Sequence, residues 1–451
     1  MLLVLLALMA PQIDMAQTQQ YKPNWESLNQ RPTPGWFDDA KFGIFIHWGV
    51  YSVPAFADPH AKGGKAYAEW YWRSMQDKND PTWAFHVRNY GADFHYQDFA
   101  GDFKAQLYDP DHWAALFQRA GARYVVLTSK HHEGFCLWPC PGSWNWNSVD
   151  VGPHRDLAGD LSKAVVAHGL KMGFYYSLYE WYNPLYQKDP DRYVTERMIP
   201  QMKDLVERYK PSLLWTDGEW EHPSSLWRST EFLAWLFNES PVKDEIAVND
   251  RWGHETRSID GGFFTSEYGG FVKKGIVMGP QHKWEENQGI GQSFGYNRME
   301  TADDYKTPRE LVHLLIDTVA LGGNLLLDIG PTPDGRVPVI MQQRLLAMGA
   351  WLKVNGEAIY ATHPWRVAGE SDVRFTTKGG TVYALAKSWP GRELILNAPK
   401  PGPTMKVTLL GSNNTLPWRM EGGKLHVEMP VLTSREMSTP EAFVFRLDSV
   451  E

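Results

Sequence analysis

The chain has 451 residues, a formal net charge of −8 and a sequence pI near 6.0. Its basic residues do not cluster in runs longer than a pair, which argues against a nucleic acid or an anionic membrane surface as partner. No internal stretch reaches the ~18 apolar residues that a membrane span requires. The 21 Trp and 20 Tyr residues suit the binding of hydroxylated, partly apolar ligands, although large cores also use such rings.

Residues 2–9 form an apolar run, and polar residues follow at 17–20. This pattern predicts a signal peptide over residues 1–20, although the basic residues that usually precede the apolar run are missing. We therefore expect a periplasmic or secreted protein, and the alternative is a buried N-terminal strand. The two cysteines, Cys136 and Cys140, permit one disulfide but do not require it.

Apolar runs that end in polar residues recur along the first three quarters of the chain. The predicted strands cover residues 42–49, 124–128, 171–177, 213–217, 245–252, 261–268 and 324–330. Helical periodicity predicts helices at 156–169, 192–210, 225–238 and 307–321. Strands that alternate with helices over about 320 residues predict a parallel sheet, and this many units closes most naturally into a (β/α)₈-like (TIM-type) barrel.

The pattern changes near residue 359. Short β-type runs at 373–376, 381–386, 393–396 and 443–447 are separated by Gly, Pro and Asn turns. This spacing predicts a C-terminal antiparallel β-sandwich. We place the boundary between Tyr360 and Pro364 and expect the barrel over residues 21–360 and the sandwich over residues 361–451.

One stretch, residues 213–219, passes from apolar residues into Asp217, Gly218 and Glu219. Such a pattern is typical of the carboxyl end of a buried parallel strand, where α/β barrels carry their catalytic residues. The alternative is that Asp217 only caps the next helix, which is a common role for Asp. The other strand ends favour the catalytic interpretation, because they are also polar.

Four motifs occur in chain order: residues 36–37 with 42–49, residues 130–135, the Asp217 stretch, and residues 322–327. Together they resemble glycoside hydrolase family 29, the retaining α-L-fucosidases. The resemblance covers about residues 30 to 360, the part of the chain that the barrel requires. Each motif is weak alone, but four in order are a strong signal.

The resemblance implies an exo-acting hydrolase of terminal α-L-fucosyl residues, with Asp217 as the nucleophile that forms a covalent glycosyl-enzyme. A second carboxyl group ~5 to 5.5 Å away must protonate the leaving oxygen and then activate water. We choose Glu267 for this role, because residues 264–268 resemble the family's version in many bacterial members. Glu285 is the alternative. Glu219 is too near Asp217 along the chain to oppose it across a sugar, and we expect it to be structural.

The resemblance also implies a fucose pocket of hydrogen-bonding and apolar side chains. Its expected members are His47, Glu69, Trp70, His131, His132, Tyr175, Arg251 and, as a wall for the C5 methyl group, Phe294. Strand alternation lets only one of Tyr175 and Tyr176 face the barrel interior, and we choose Tyr175. The histidines could instead be structural or ligate zinc, and Trp70 and Phe294 could be core, but no H-x-x-E-H or Cys-rich spacing occurs.

We therefore expect no metal or organic cofactor, and a fucosylated oligosaccharide or glycoconjugate as substrate. Two alternatives remain open. One is a retaining exo-glycosidase for a related sugar, because the pocket residues do not report the orientation of every hydroxyl group. The other is a catalytically inactive carbohydrate-binding protein, which Asp217 and two candidate acids argue against.

Overall fold

The computed structural model describes residues 20–61, 63–181, 183–271, 282–412, 415–433 and 439–451. The predicted signal peptide therefore lies almost wholly outside the described residues. In the described ranges, no helix has the length and apolar character needed to cross a membrane.

Eight parallel strands of the described residues form one sheet. They are β1 (Phe42–Ile46), β2 (Tyr124–Lys130), β3 (Lys171–Ser177), β4 (Leu213–Asp217), β5 (Ala247–Val248), β6 (Phe264–Glu267), β7 (Trp284–Gly289) and β8 (Gly323–Ile329), in the order β5-β4-β3-β2-β1-β8-β7-β6. The two end strands approach each other through a parallel bridge between Asn249 and Phe263. At this point the backbone N–H groups of Gly262 and Phe263 donate to the carbonyls of Asn249 and Val248, each at 3.0 Å. The predicted TIM-like barrel is confirmed.

Helices surround this barrel, and four of them lie within the four predicted ranges. The α-helices of the described residues are Trp25–Leu28, Gly35–Ala40, Tyr71–Ser74, Pro81–Tyr90, Pro110–Arg119, Leu157–Ala167, Pro184–Lys188, Pro190–Tyr193, Ile199–Tyr209, Ser229–Asn238, Pro308–Ala320 and Val339–Asn355. The helix predicted at 192–210 is interrupted by a π-helical turn at Val194–Met198. The helix Pro308–Ala320 begins with a capping box, in which Thr307 and Glu310 each bind the other's backbone N–H.

The prediction was wrong at two strands. The strand expected over residues 245–252 is only two residues long, Ala247–Val248, and the chain then turns to place Arg251 inside the barrel. Strand β7 was missed because its sequence, Trp-Glu-Glu-Asn-Gln-Gly, is polar. All six residues are nevertheless buried, and both neighbouring strands pair with them. A hydrophobicity pattern cannot find a buried strand whose side chains are satisfied by hydrogen bonds.

Aromatic side chains fill the barrel interior. The ring of Trp215 lies 5.2 Å from Phe45 and stacks on Tyr175 at 5.6 Å. At the amino ends of the strands, Phe37 from the helix Gly35–Ala40 stacks on Phe263 at 4.3 Å. The interior is therefore a packed core, which leaves the carboxyl ends of the strands as the place for a site.

The remaining strands form two antiparallel sheets. They are β9 (His363–Glu370), β10 (Val373–Lys378), β11 (Thr381–Ala386), β12 (Glu393–Leu396), β13 (Pro401–Leu409), β14 (Trp418–Glu421), β15 (Lys424–Glu428) and β16 (Phe443–Val450). The orders are β13-β16-β11-β10-β9 and β12-β15-β14. Side chains from both sheets, such as Phe375 and Leu396, share one apolar core, as a β-sandwich requires.

The sandwich packs directly on the barrel helices. The Trp351 indole N–H donates to the carbonyl of Ala442 at 2.9 Å. The Asp317 carboxylate forms ion pairs with Arg374 at 2.8 Å and with Lys387 at 3.2 Å. A hydrogen bond and two ion pairs therefore join the two parts of the chain.

Candidate active site

Asp217 is the last residue of β4, as the sequence predicts, and only 7% of its surface is exposed. The chain turns immediately afterwards at Gly218, which has a φ of +73°. A Cβ atom at this position would lie 2.5 Å from the ring of Tyr179. Glycine therefore allows the sharp turn that leaves the Asp217 carboxylate in the barrel mouth.

Polar side chains surround the Asp217 carboxylate. Arg251 Nη1 donates to Oδ1 at 2.7 Å, the Tyr175 hydroxyl donates to Oδ2 at 3.0 Å, and His132 Nε2 lies 3.7 Å from Oδ2. Burial would raise the pKa of Asp217, but the positive charges of Arg251 and Arg257 outweigh it and hold the pKa well below its usual range. The carboxylate is therefore ionised, the form that a nucleophile requires.

Arg251 also contacts the second candidate carboxylate. Its Nη2 donates to Glu267 Oε1, and its Nε donates to the Thr265 hydroxyl at 2.9 Å. Glu267 ends β6, and its side chain is 35% exposed towards the cavity. One guanidinium therefore lies between Asp217 and Glu267, which makes the two carboxylates neighbours.

Glu285 occupies a different place. It lies on β7, is fully buried, and accepts hydrogen bonds from the Tyr124 hydroxyl at 2.5 Å and the Trp215 indole at 2.9 Å. Burial raises the pKa of Glu285 to about 7, and the hydrogen bonds from Tyr124 and Trp215 oppose this only in part. The described residues that line the cavity do not include Glu285. Its pKa would suit a catalytic acid, but its position does not, and geometry comes first.

Two of the three predicted histidines have defined hydrogen-bond partners. His132 Nδ1 lies 2.8 Å from the Ser177 hydroxyl, which itself donates to the Tyr179 carbonyl at 2.8 Å. Because the Ser177 hydroxyl uses its proton in that bond, its oxygen accepts from His132. The ring proton is therefore assigned to Nδ1, and Nε2 is left as an acceptor. Burial lowers the pKa of His132 well below its usual value, so the ring is neutral. The second histidine with a defined partner is His47, whose Nδ1 lies 2.6 Å from Asp328 Oδ1.

Glu69 and Phe294 complete the side of the cavity near His47. Glu69 Oε2 accepts hydrogen bonds from the Gly295 backbone N–H at 2.8 Å and from the Ser293 hydroxyl at 3.1 Å. Burial raises the pKa of Glu69. The Phe294 ring lies 5.0 Å from the His47 ring, so a polar and an apolar surface meet here.

The structure brings all ten predicted site residues to one cavity. Its lining includes His47, Glu69, Trp70, His131, His132, Tyr175, Asp217, Arg251, Glu267 and Phe294. Tyr176 faces the other way, and its hydroxyl donates to Gln201 at 2.7 Å. The choice of Tyr175 from strand alternation is therefore correct for the direction of the side chain.

Five residues of the lining were not predicted from the sequence, namely Phe45, Tyr67, Trp215, Trp220 and Asn287. Phe45 and Trp215 could have been found, because each precedes a predicted strand-end residue by two positions and so faces the same side. Asn287 lies on the strand that the pattern missed. Tyr67 and Trp220 lie in loops, where no periodicity gives a direction.

Two further observations concern metals and thiols. Within the described ranges, His, Cys, Asp and Glu do not form a group of three or more that could hold a metal ion. Cys136 and Cys140 are both buried and free, so the disulfide that their spacing permits is not formed.

An ionised Asp and a second carboxyl group, surrounded by histidines and aromatic rings at the carboxyl end of a β/α barrel, define a glycoside hydrolase site. Comparison with known families agrees. The family model described as α-L-fucosidase matches residues 8–357, and the α-L-fucosidase C-terminal domain matches residues 368–448. The chain belongs to the α-L-fucosidase family, glycoside hydrolase family 29.

Relatives of known name match over nearly the whole chain. The tissue α-L-fucosidase of Bos taurus is 46% identical over 444 residues, which cover 96% of this chain and 92% of the relative. The tissue α-L-fucosidase of Homo sapiens is 45% identical and covers 96% and 93%. The crystal structure of Thermotoga maritima α-fucosidase with a mechanism-based inhibitor has a TM-score of 0.82 and 37% identity, and the match covers 95% of this chain and 100% of that one.

Proposed function

We propose that the chain is an exo-acting α-L-fucosidase that removes terminal α-L-fucosyl residues from glycans with retention of configuration. The observation that supports the mechanism is the Arg251 guanidinium, which contacts Asp217 and Glu267 together. Two carboxylates on one guanidinium favour the short separation of retaining enzymes, ~5 to 5.5 Å, over the ~6.5 to 9.5 Å of inverting enzymes. The family of the chain supports the choice of sugar.

In the first step, Asp217 Oδ attacks the anomeric carbon while the glycosidic bond breaks. Glu267 gives its proton to the departing oxygen, so the leaving group departs as an alcohol. For this transfer Glu267 must exchange its contact with Arg251 for a hydrogen bond to the glycosidic oxygen. Tyr175 and Arg251 orient the Asp217 carboxylate, since each donates to a different oxygen of it.

In the second step, a water molecule attacks the anomeric carbon and the bond to Asp217 breaks. Glu267, now a carboxylate, accepts the proton of that water, and L-fucose leaves in the α configuration. Two inversions at one carbon give net retention.

The cavity offers suitable groups for the fucosyl ring. His132 presents an acceptor at Nε2, and Glu69 is a buried carboxyl group. Both suit sugar hydroxyls, which donate and accept. Phe294 provides an apolar surface for the C5 methyl group, which fucose carries in place of the hydroxymethyl group of galactose.

The experiment that tests this proposal is hydrolysis of an aryl α-L-fucoside followed by NMR. We expect the first sugar released to be α-L-fucose, and expect Asp217→Asn to remove this activity. If β-L-fucose is released first, the enzyme inverts and the mechanism is wrong. If aryl glycosides of a related sugar are preferred, the substrate assignment changes. Absence of hydrolysis would instead indicate a carbohydrate-binding protein.

Two further proposals concern the whole chain. We propose that residues 21–360 and 361–451 are its two domains, supported by the last helical turn at Gly356–Ala358 and the first sandwich strand at His363. We also propose export to the periplasm or the medium, supported by the apolar run at residues 2–9. Fusion of residues 1–20 to a reporter enzyme would test export directly.

A further inference from the structure

Trp220 is the most exposed aromatic residue of the described cavity lining. It is 37% exposed, whereas the other aromatic residues of the lining are buried or half-buried. It lies three residues after Asp217, so its indole stands at the mouth, next to the reacting centre. The large Trp side chains in the barrel core, such as Trp215 and Trp227, are at most 1% exposed.

Neighbouring rings fix the orientation of Trp220. Its ring lies 5.2 Å from His132, 5.6 Å from Tyr179 and 6.0 Å from Trp70. These contacts are edge-on or tilted, with interplanar angles of 62°, 72° and 37°. None of them covers the indole face by parallel stacking. The ring is therefore held in place while part of its apolar surface remains in water.

Aromatic contacts continue beyond Trp220 through half-buried Trp70 and Trp72 and through Trp181, which is itself buried. Trp70 meets Trp181 edge-on at 5.4 Å, and Trp181 stacks on Trp72 at 5.5 Å with an interplanar angle of 19°. Trp70, Trp72, Trp181 and Trp220 form what we call the aromatic rim. Exposed aromatic groups at the edge of a binding cavity mark contact sites, because covering them releases water from apolar surface.

The chemistry of the rim identifies its ligand. A pyranose ring has one face made largely of C–H groups and an edge of hydroxyl groups, and a rigid indole matches the C–H face at a low cost in conformational entropy. In the proposed function, the fucosyl residue binds against Asp217 inside the cavity. The next sugar of the glycan must then emerge through the mouth, where Trp220 stands.

We propose that Trp220, supported by Trp70 and Trp181, is the platform that binds the sugar to which fucose is attached. This inference rests on the proposed function and extends it to the substrate class. The preferred substrates are fucosylated oligosaccharides in which a neutral pyranose follows the fucose, and a small leaving group gains nothing from the rim.

The test compares two substrates that differ only in the group leaving from fucose. One is an α-L-fucosyl-(1→2)-galactoside, and the other is α-L-fucosyl fluoride, whose leaving group is too small to reach the rim. For Trp220→Ala, we expect the ratio of kcat/KM for the disaccharide to kcat/KM for the fluoride to fall roughly tenfold or more. Trp220→Phe, which keeps a smaller aromatic face, should give an intermediate ratio.

The matched control is Trp144→Ala, because Trp144 is 84% exposed and lies outside the lining of the cavity. This variant should keep the wild-type ratio. Equal losses for both substrates, with a higher Ki for L-fucose, would place Trp220 in the fucose pocket and overturn the proposal. An unchanged ratio would overturn it too.

Failure of the proposed function gives a different result, namely a wild-type protein that cleaves neither substrate. The platform is then tested by calorimetric titration with the same disaccharide. Trp220→Ala should bind it at least roughly tenfold more weakly than the wild type if the platform exists. Equal affinities would overturn the proposal.

Discussion

Asp328 on β8 and His47 after β1 form a buried pair, with Asp328 Oδ1 2.6 Å from His47 Nδ1. Burial, Glu69 and Glu300 raise the pKa of Asp328 well above its usual range, and burial lowers the pKa of His47 well below its own. Both pKa shifts favour the uncharged forms of Asp328 and His47. We therefore predict that Asp328 keeps its proton and donates it to Nδ1, so that the His47 Nε2–H faces the cavity as a donor.

This pair gives a prediction that separates the two forms of Asp328. In Asp328→Asn the amide N–H replaces the carboxylic O–H as donor, so Ki for L-fucose should stay within about threefold. In Asp328→Ala the His47 ring loses its partner, and Ki should rise about tenfold, the scale of one lost buried hydrogen bond. Inhibition assays with L-fucose measure both. If Asn is as damaging as Ala, Asp328 acts as a carboxylate and our assignment is wrong.

The second prediction separates Asp217 from Glu267. Asp217→Gly should lose roughly three or more orders of magnitude in kcat for every leaving group. Added azide should then attack the substrate directly and give β-L-fucosyl azide. Glu267→Ala should affect poor leaving groups most, by about 10²- to 10⁴-fold. With this variant, azide should attack the covalent intermediate and give α-L-fucosyl azide. NMR of the two products distinguishes the roles.

Glu285→Gln is the control for this assignment. We expect it to show neither the dependence on leaving group nor an azide product, because its carboxyl group lies outside the cavity lining. If Glu285→Gln shows both and Glu267→Ala shows neither, the acid/base role belongs to Glu285. If neither variant shows them, the mechanism with two carboxylates is wrong.

The third prediction concerns the ionisation of Asp217. A lowered pKa keeps this carboxylate charged in acid, so the acid limb of kcat/KM should lie at low pH in the wild type. Arg251→Gln removes the closest cation, at 2.7 Å, and should move the acid limb upwards. Arg257→Gln removes a half-buried cation at 3.7 Å and should move it less. The pH profiles of kcat/KM for an activated aryl fucoside show which substitution moves the acid limb further. A larger shift for Arg257→Gln than for Arg251→Gln would contradict the electrostatic account.

The fourth prediction uses the raised pKa of Glu285, about 7 in the folded protein against ~4.3 in an unfolded chain. Between these values the folded state keeps a proton that the unfolded state releases, so this residue lowers stability as pH rises from about 4.3 to about 7. Glu285→Gln should gain up to ~3 kcal/mol relative to the wild type across this range. Urea unfolding at pH 4.5 and pH 7.5 measures the difference, and a constant offset would show that Glu285 does not titrate there.

The fifth prediction concerns the sandwich. Trp351 on the helix Val339–Asn355 is fully buried and donates to Ala442 of the sandwich. Trp351→Ala should therefore open a cavity between the two parts and lower the Tm by about 5 °C or more. Val431→Ala is the control, because Val431 is fully exposed and should not change the Tm. A chain ending at Tyr360 should aggregate, because it would expose the apolar surface around Trp351. A soluble, active fragment would contradict this.

The sequence alone determined the parts of the site that lie at the ends of apolar strands. Asp217, His47 and Tyr175 could be placed because a buried parallel strand has a continuous apolar pattern and a polar end. Alternation within the strand then gave the direction of the side chain. The family motifs supplied the loop residues, such as Glu69 and Phe294, for which no periodic signal exists.

Only the tertiary structure decided between Glu267 and Glu285 as the candidate that reaches the cavity. Glu285 is buried, and Tyr124, 161 residues away, and Trp215, 70 residues away, satisfy its oxygens. The contact of Arg251 with both Asp217 and Glu267, and the exposed position of Trp220, also depend on distant strands. A local pattern reports how apolar a segment is, whereas the burial of a polar group is set by partners that only the fold brings together.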